Sequence, residues 1–110
     1  MVAARTPVPV ELDVTETWLD PPIAAAAYYI VSEALTNVAK YAEATRAAVR
    51  VRETGDRLVV VVEDDGKGGA DPFSGSGLPG LGDRIAALDG LFFVDSPTGA
   101  GTRIRAELPI

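Results

Sequence analysis

The chain has 110 residues, 47% of them hydrophobic, and a net charge of −6 at neutral pH, which suits one compact domain and excludes two domains or a disordered chain. The acidic balance leaves no basic face for nucleic acid, so no nucleic-acid partner is expected. The chain holds neither cysteine nor histidine, which excludes disulfides, thiol catalysis, imidazole metal sites and a phosphohistidine on this polypeptide.

No run of 18 apolar residues is present and Met1–Val10 lacks the pattern of a signal peptide, so a cytoplasmic segment without membrane contact is expected, whatever anchors a longer parent. Residues 1–7 read as a loose start to a single domain over 1–110. Val8–Val14 alternates apolar and polar residues, a half-buried strand, and Pro9 favours a sheet edge. Asp20-Pro21-Pro22 opens a helix, with Asp20 at the N-cap and proline in the first turn. The helix runs to about Ala42, with an apolar stripe of Ile23, Ala27, Ile30, Ala34, Val38 and Tyr41.

Ala47–Arg52 alternates again, and Thr54-Gly55-Asp56 signals a hairpin turn. Leu58–Val62 is a continuous apolar run, expected as a central strand buried on both faces. A glycine-rich stretch follows from Asp64 to Gly82, expected to be mobile without a ligand. A second helix from about Gly80 to Leu88 ends at Asp89-Gly90. Leu91–Val94 and Thr102–Leu108 are the last strands, joined by a turn-rich Ser96–Gly101. The order β-α-β-β-loop-α-β-β predicts an α+β fold. It is a two-layer sandwich of a mixed, mostly antiparallel sheet with helices on one face.

Four short patterns carry possible chemistry. Glu33, Asn37 and Lys40 lie on one side of the first helix, within about 60° of one another at 100° per residue. Asn37 offers a neutral oxygen to a hard cation such as Mg²⁺, which takes few protein ligands and keeps its waters. Glu33 stands where it could polarise a water or an attacking group, and Lys40 could reach phosphate. A solvated helix face explains the same three residues taken alone. In Glu63-Asp64-Asp65-Gly66-Lys67-Gly68-Gly69, a carboxylate at a strand end can accept a hydrogen bond from an exocyclic amine, and Gly66 and Gly68 let the chain pass close to a ring. An ordinary Asp-Gly turn is the plainer alternative.

Gly75-Ser76-Gly77-Leu78-Pro79-Gly80 runs into the second helix, and backbone N–H groups of such a loop can bind phosphate at the helix start. It does not follow a strand directly, which argues against a dinucleotide fingerprint. Gly99-Ala100-Gly101-Thr102 opens the last strand, where the Thr102 hydroxyl could support Asp64; a plain turn is the alternative.

In sequence order these patterns resemble the N, G1, G2 and G3 boxes of the histidine kinase, gyrase, Hsp90 and MutL ATPase superfamily, over about residues 20–110. SEALTNVAKYA, VEDDGKGG, GSGLPGLGDRIAALDG and GAGTRIRAELP are most similar to the ATP-binding catalytic domain of sensor histidine kinases of the nitrate- and desiccation-type branch. The resemblance implies a Bergerat-type ATP-binding fold with ATP and Mg²⁺ as ligands. It implies Asn37 on the metal, Glu33 as the helix acid, Lys40 near phosphate, and Asp64 on the adenine amino group. Gly66, Gly68, Gly75, Gly77, Leu78 and Gly80 would shape the pocket and a short lid, and Thr102 would support the adenine end.

Three positions depart from the family pattern: Tyr41 follows Lys40 where histidine is common, Arg84 lies two residues past the usual arginine position near Gly82, and Gly69 replaces an apolar residue. The implied partners are a histidine-bearing dimerisation domain of the parent, expected N-terminal to this segment, and indirectly a response regulator. An anti-sigma-type serine kinase is the alternative from the same superfamily, although the short lid and the GLGDRIAALDG helix argue against it. A gyrase- or Hsp90-like clamp would need a longer lid and a following domain.

Overall fold

The computed structural model describes residues 9–14, 18–38, 43–69 and 78–110. Five strands and two helices occur among them: β1 (Val10–Val14), α1 (Pro21–Asn37), β2 (Ala47–Thr54), β3 (Arg57–Asp64), α2 (Leu78–Ala86), β4 (Leu91–Asp95) and β5 (Thr102–Pro109). The strands form one sheet in the order β1-β2-β3-β5-β4. Only β1 and β2 pair in parallel, with α1 as their crossover; the other three pairings are antiparallel. The expected α+β sandwich is what forms, and β1 takes the edge that Pro9 favoured.

Local chemistry accounts for the boundaries. Pro21 and Pro22 occupy the first positions of α1, where their missing N–H groups cost nothing. Asp20 sits at the N-cap but caps through its backbone: its carbonyl accepts the N–H groups of Ile23 and Ala24 at 2.9 Å, and its side chain makes no cap hydrogen bond. The helix is described to Val38, so its expected end near Ala42 lies outside the described residues. Gly55, at φ +62, makes the two-residue turn between β2 and β3, as the Thr-Gly-Asp signal predicted. The second helix starts two residues earlier than expected and ends at Ala86, two residues short of Leu88; the turn that follows closes at Asp89, which takes the left-handed conformation at φ 58.

Period-2 alternation divides the sheet into two unlike faces. Val49, Val51, Leu58, Val60, Val62, Ile104, Ala106 and Leu108 point to the helices, which add Ala26, Ile30, Ala34, Leu35, Leu81 and Ile85 to one core. The opposite face has no second layer among the described residues and carries rows of mixed charge. One row runs Asp13, Arg50, Val61, Arg105 and Phe93 across all five strands. Val61 is buried there without a covering layer, flanked in register by two arginines whose aliphatic stems can shield it. The central strand is therefore closed on its helix side and only partly covered on the other, where Val59 stays half-buried.

Candidate functional site at the sheet end and helix stripe

Two groups of the singled-out residues are placed by different elements. The first gathers where β3 ends and β5 begins. Asp64 is the last residue of β3 and pairs with Thr102, the first of β5. Its part-buried carboxylate accepts the N–H of Gly66 at 2.7 Å. Burial pushes its pKa above the ordinary carboxylate value, opposed by hydrogen bonds from the Gly66 and Thr102 backbone N–H groups, while the neighbouring Asp65 charge adds to the rise. A carboxylate fixed by two backbone donors, with lone pairs to spare, is suited to take one more hydrogen bond from an amine.

The loops after β3 and before β5 are stitched together through backbone atoms. Gly69 N–H donates to the Ser96 carbonyl at 2.8 Å, and Gly99 N–H donates to the Lys67 carbonyl at 2.5 Å. Left-handed glycines make this approach possible. A Cβ on Gly68, at φ +66, would stand 2.0 Å from the Pro97 carbonyl oxygen. One on Gly101, at φ +79, would stand 2.2 Å from the Asp64 carbonyl oxygen. Gly66 is not among the left-handed glycines; it contributes its N–H to Asp64. Thr102 meets Asp64 through its backbone N–H, and its hydroxyl is instead 2.7 Å from Ser96 Oγ.

Sequence reasoning passed over Asp65, whose role is architectural. Its carboxylate accepts the N–H of Thr45 at 2.8 Å, the N–H of Arg46 at 3.0 Å and the Thr45 hydroxyl. These bonds, the Thr45 hydroxyl first, hold its pKa down at about 2. The clamp ties the chain entering β2 to the strand end that carries Asp64. Its only sequence signal is a second acid before glycine, a residue type that often bonds nearby backbone. Ser96 was also missed, because a serine in a turn-rich loop carries no distinguishing pattern.

The second group lies on α1. Glu33 and Asn37 fall on successive turns, both half-buried. The Nδ2 of Asn37 is buried without a hydrogen-bond partner among the described residues. Unsatisfied buried polar atoms are uncommon, and here the Nδ2 donor has no partner among the described residues. A carboxamide so placed fits a single-ligand Mg²⁺ site, in which a nucleotide and waters supply the other oxygens. No cluster of three or more Asp, Glu, His or Cys suited to a metal occurs among the described residues. Lys40, Gly75 and Gly77 lie outside the described residues; Leu78 and Gly80 fall in the first turn of α2.

Comparison with known proteins bears on these two groups. Residues 23–110 match the family described as histidine kinase-, DNA gyrase B- and HSP90-like ATPase. Sensor histidine kinase YdfH of Bacillus subtilis is 36% identical over 98 residues, covering 84% of this chain and 24% of that protein. The blue-light activated histidine kinase EL346 of Erythrobacter litoralis superposes with a TM-score of 0.78 at 27% identity, over 96% of this chain and 36% of that one. The histidine kinase AdeS of Acinetobacter baumannii, at 19% identity and a TM-score of 0.78, shows the same fold. The chain thus spans about a quarter of YdfH and about a third of the EL346 chain. By sequence match and by fold, it belongs to the histidine kinase-, DNA gyrase B- and HSP90-like ATPase family.

Proposed function

We propose that this chain is the ATP-binding catalytic lobe of a two-component sensor histidine kinase, donating the γ-phosphate of Mg-ATP to a histidine carried elsewhere. The observation that carries the reading is the Asp64 carboxylate, part-buried at the sheet end and held by the Gly66 and Thr102 N–H groups. In this reading it accepts a hydrogen bond from the adenine amino group and rejects guanine, which presents a carbonyl at that position. The absence of histidine from the sequence means that the acceptor lies outside these residues, on a dimerisation domain of the parent. A response regulator would then be reached only through that histidine.

The remaining roles follow the direction of the nucleotide. Asn37 holds Mg²⁺ through its carboxamide oxygen, and the ion neutralises phosphate charge when bound. Glu33, one turn earlier, is placed to polarise the attacking group, and Lys40 is assigned to phosphate. Gly75, Gly77, Leu78 and Gly80 shape the loop and helix start that face the phosphates, where backbone N–H groups favour anions. Gly66 and Gly68 line the base with Asp64, and Thr102 steadies it. Positioning and electrostatics supply most of the work in phosphoryl transfer, so the isolated lobe is expected to bind nucleotide well and to turn over slowly.

Calorimetric titration of Mg-ATP and Mg-GTP into the wild-type chain and Asp64→Asn tests the reading. Micromolar-range ATP binding, preferred over GTP and weakened about tenfold or more in Asp64→Asn, supports it. A folded wild-type chain that binds neither nucleotide overturns it.

A further inference from the structure

We infer that Arg84 and Tyr29 form a latch that sets how α2 leans on α1, and thereby tunes affinity for the phosphate groups of the nucleotide; this rests on the ATP-binding reading above. The Arg84 guanidinium carbon lies 4.1 Å from the centroid of the Tyr29 ring, close contact for a cation stacked on an aromatic face. Tyr29 is partly buried against the hydrophobic core, so the ring is a fixed platform. Arg84 is exposed, and among the described residues it forms no ion pair. The ring face is what holds its charge.

What the latch controls follows from where its two residues lie. Tyr29, Glu33 and Asn37 recur every four residues on α1 and form one stripe. Arg84 lies one turn beyond Gly80, in the last turn of α2. The helix α2 is seated on the sheet by Leu81 and Ile85, both buried, and by Gly82, where an added Cβ would be 3.3 Å from the Phe92 ring. Those contacts seat α2 on the sheet, and Leu81 and Ile85 share their core with Ala26 and Ile30 of α1. An open groove lined by Pro22, Ala25, Ala26, Asp83, Ala87 and Leu88 lies between the two helices. Arg84 also lines that groove, and its stack on Tyr29 bridges α1 and α2 directly.

The base-binding end is independent of this contact. Asp64, Gly68 and Thr102 are held by β3, β5 and the loops between them, without a contribution from α2. Releasing the latch therefore acts on phosphate groups and spares the adenine. Arg84 and Tyr29 are positioning residues, acting through the helix that begins at Leu78.

NMR-monitored titrations of AMP, ADP and ATP with Mg²⁺ into the 110-residue chain test the latch, using Tyr29→Leu, Arg84→Met, the double variant and Tyr29→Phe. The expected result is a roughly two- to fivefold loss of ATP affinity in each of the first two, the size of one cation–π contact. The loss shrinks for ADP and vanishes for AMP. The double variant is no worse than either single one, because both remove the same interaction. Tyr29→Phe keeps the ring and keeps wild-type affinities.

Equal weakening of all three nucleotides would reduce the pair to ordinary packing and overturn the inference. So would a Tyr29→Phe variant as weak as Tyr29→Leu, or losses that add in the double variant. A wild-type chain that binds none of the three overturns the ATP-binding reading first, and the latch as a nucleotide device with it. That case is told apart by Arg84 side-chain protons that keep their ring-current shift in the wild type and lose it in Tyr29→Leu.

Discussion

The sheet end and the α1 stripe, the two candidate regions of the site, are built in opposite ways. At the sheet end, Asp64 is fixed by Gly66 and Thr102, and the two loops are bonded to each other through Gly69, Ser96, Lys67 and Gly99. That region is finished before any ligand arrives. On α1, the Nδ2 of Asn37 is buried and without a partner among the described residues. Under the proposed function, the base end would be built to recognise, and the metal-side group would be left for its ligand. Groups committed to the fold cannot be changed without cost to stability, whereas uncommitted ones can.

The sharpest break of this contrast is at the glycines. Gly101→Ala forces a Cβ into the Asp64 carbonyl at a left-handed φ, and it is expected to cost on the order of 3–4 kcal/mol in urea unfolding together with nucleotide binding. Gly99→Ala serves as the control: it is also left-handed, at φ +82, but its Cβ would meet nothing within 4 Å, so about 1–2 kcal/mol is expected. Similar losses at the two sites would show that backbone conformation alone, and not the close approach of the loops, sets the cost. Next in size is Leu58→Ala in the core at the hairpin end of β3, away from both regions, where complete burial predicts a loss of about 2–5 kcal/mol, also read by urea unfolding.

On the α1 side the expectation reverses. Asn37→Ala removes a buried Nδ2 that has no partner among the described residues, so stability should stay within about 0.5 kcal/mol of wild type. Mg-ATP affinity should fall and lose its dependence on Mg²⁺ concentration, as calorimetry at several Mg²⁺ levels would show. A large loss of stability would mean that the amide is already committed to the fold.

The smallest effect is a pH dependence in the Asp65 clamp. Its folded pKa, about 2, lies below the ordinary aspartate value of 3.8. The contribution to stability is therefore fully present above about pH 4 and is lost as pH falls toward 2. Asp64 has the opposite sign: its pKa is raised by burial, so keeping it charged costs stability at neutral pH, and acid relieves that cost. Urea midpoints of wild type, Asp65→Asn and Asp64→Asn across this range separate the two. The acid-side loss should flatten in Asp65→Asn and persist in Asp64→Asn.

Much of this was legible in the sequence because it depends on local chemistry. Alternation over Ala47–Arg52 marked the buried face of β2, the apolar run Leu58–Val62 marked β3 as the central strand, Pro21-Pro22 fixed the start of α1, and Gly55 fixed the hairpin. The box order brought Glu33, Asn37, Asp64 and Thr102 forward as candidates. What stayed hidden depends on contacts between segments distant in sequence. Asp65 reaching Thr45, Ser96 meeting Thr102, and Arg84 stacking on Tyr29 have no spacing rule. The Thr102 case is instructive: its hydroxyl suggested the support for Asp64, yet its backbone N–H supplies it, and backbone donors leave no mark on residue identity.

The sheet order also bears on how the molecule assembles. The β2–β3 hairpin closes through a two-residue turn, and its partner β5 joins β3 only after α2 and β4 have been threaded between them. Closing that long loop is the entropically dear step. Asp64 leaves the ribosome on the early hairpin, but its Thr102 donor and the Gly101 approach arrive with the final strand. Under the proposed function, a nucleotide would meet a competent pocket only once the final strand has docked, and should act as a clasp on the finished fold, slowing its opening while leaving the rate of closing unchanged.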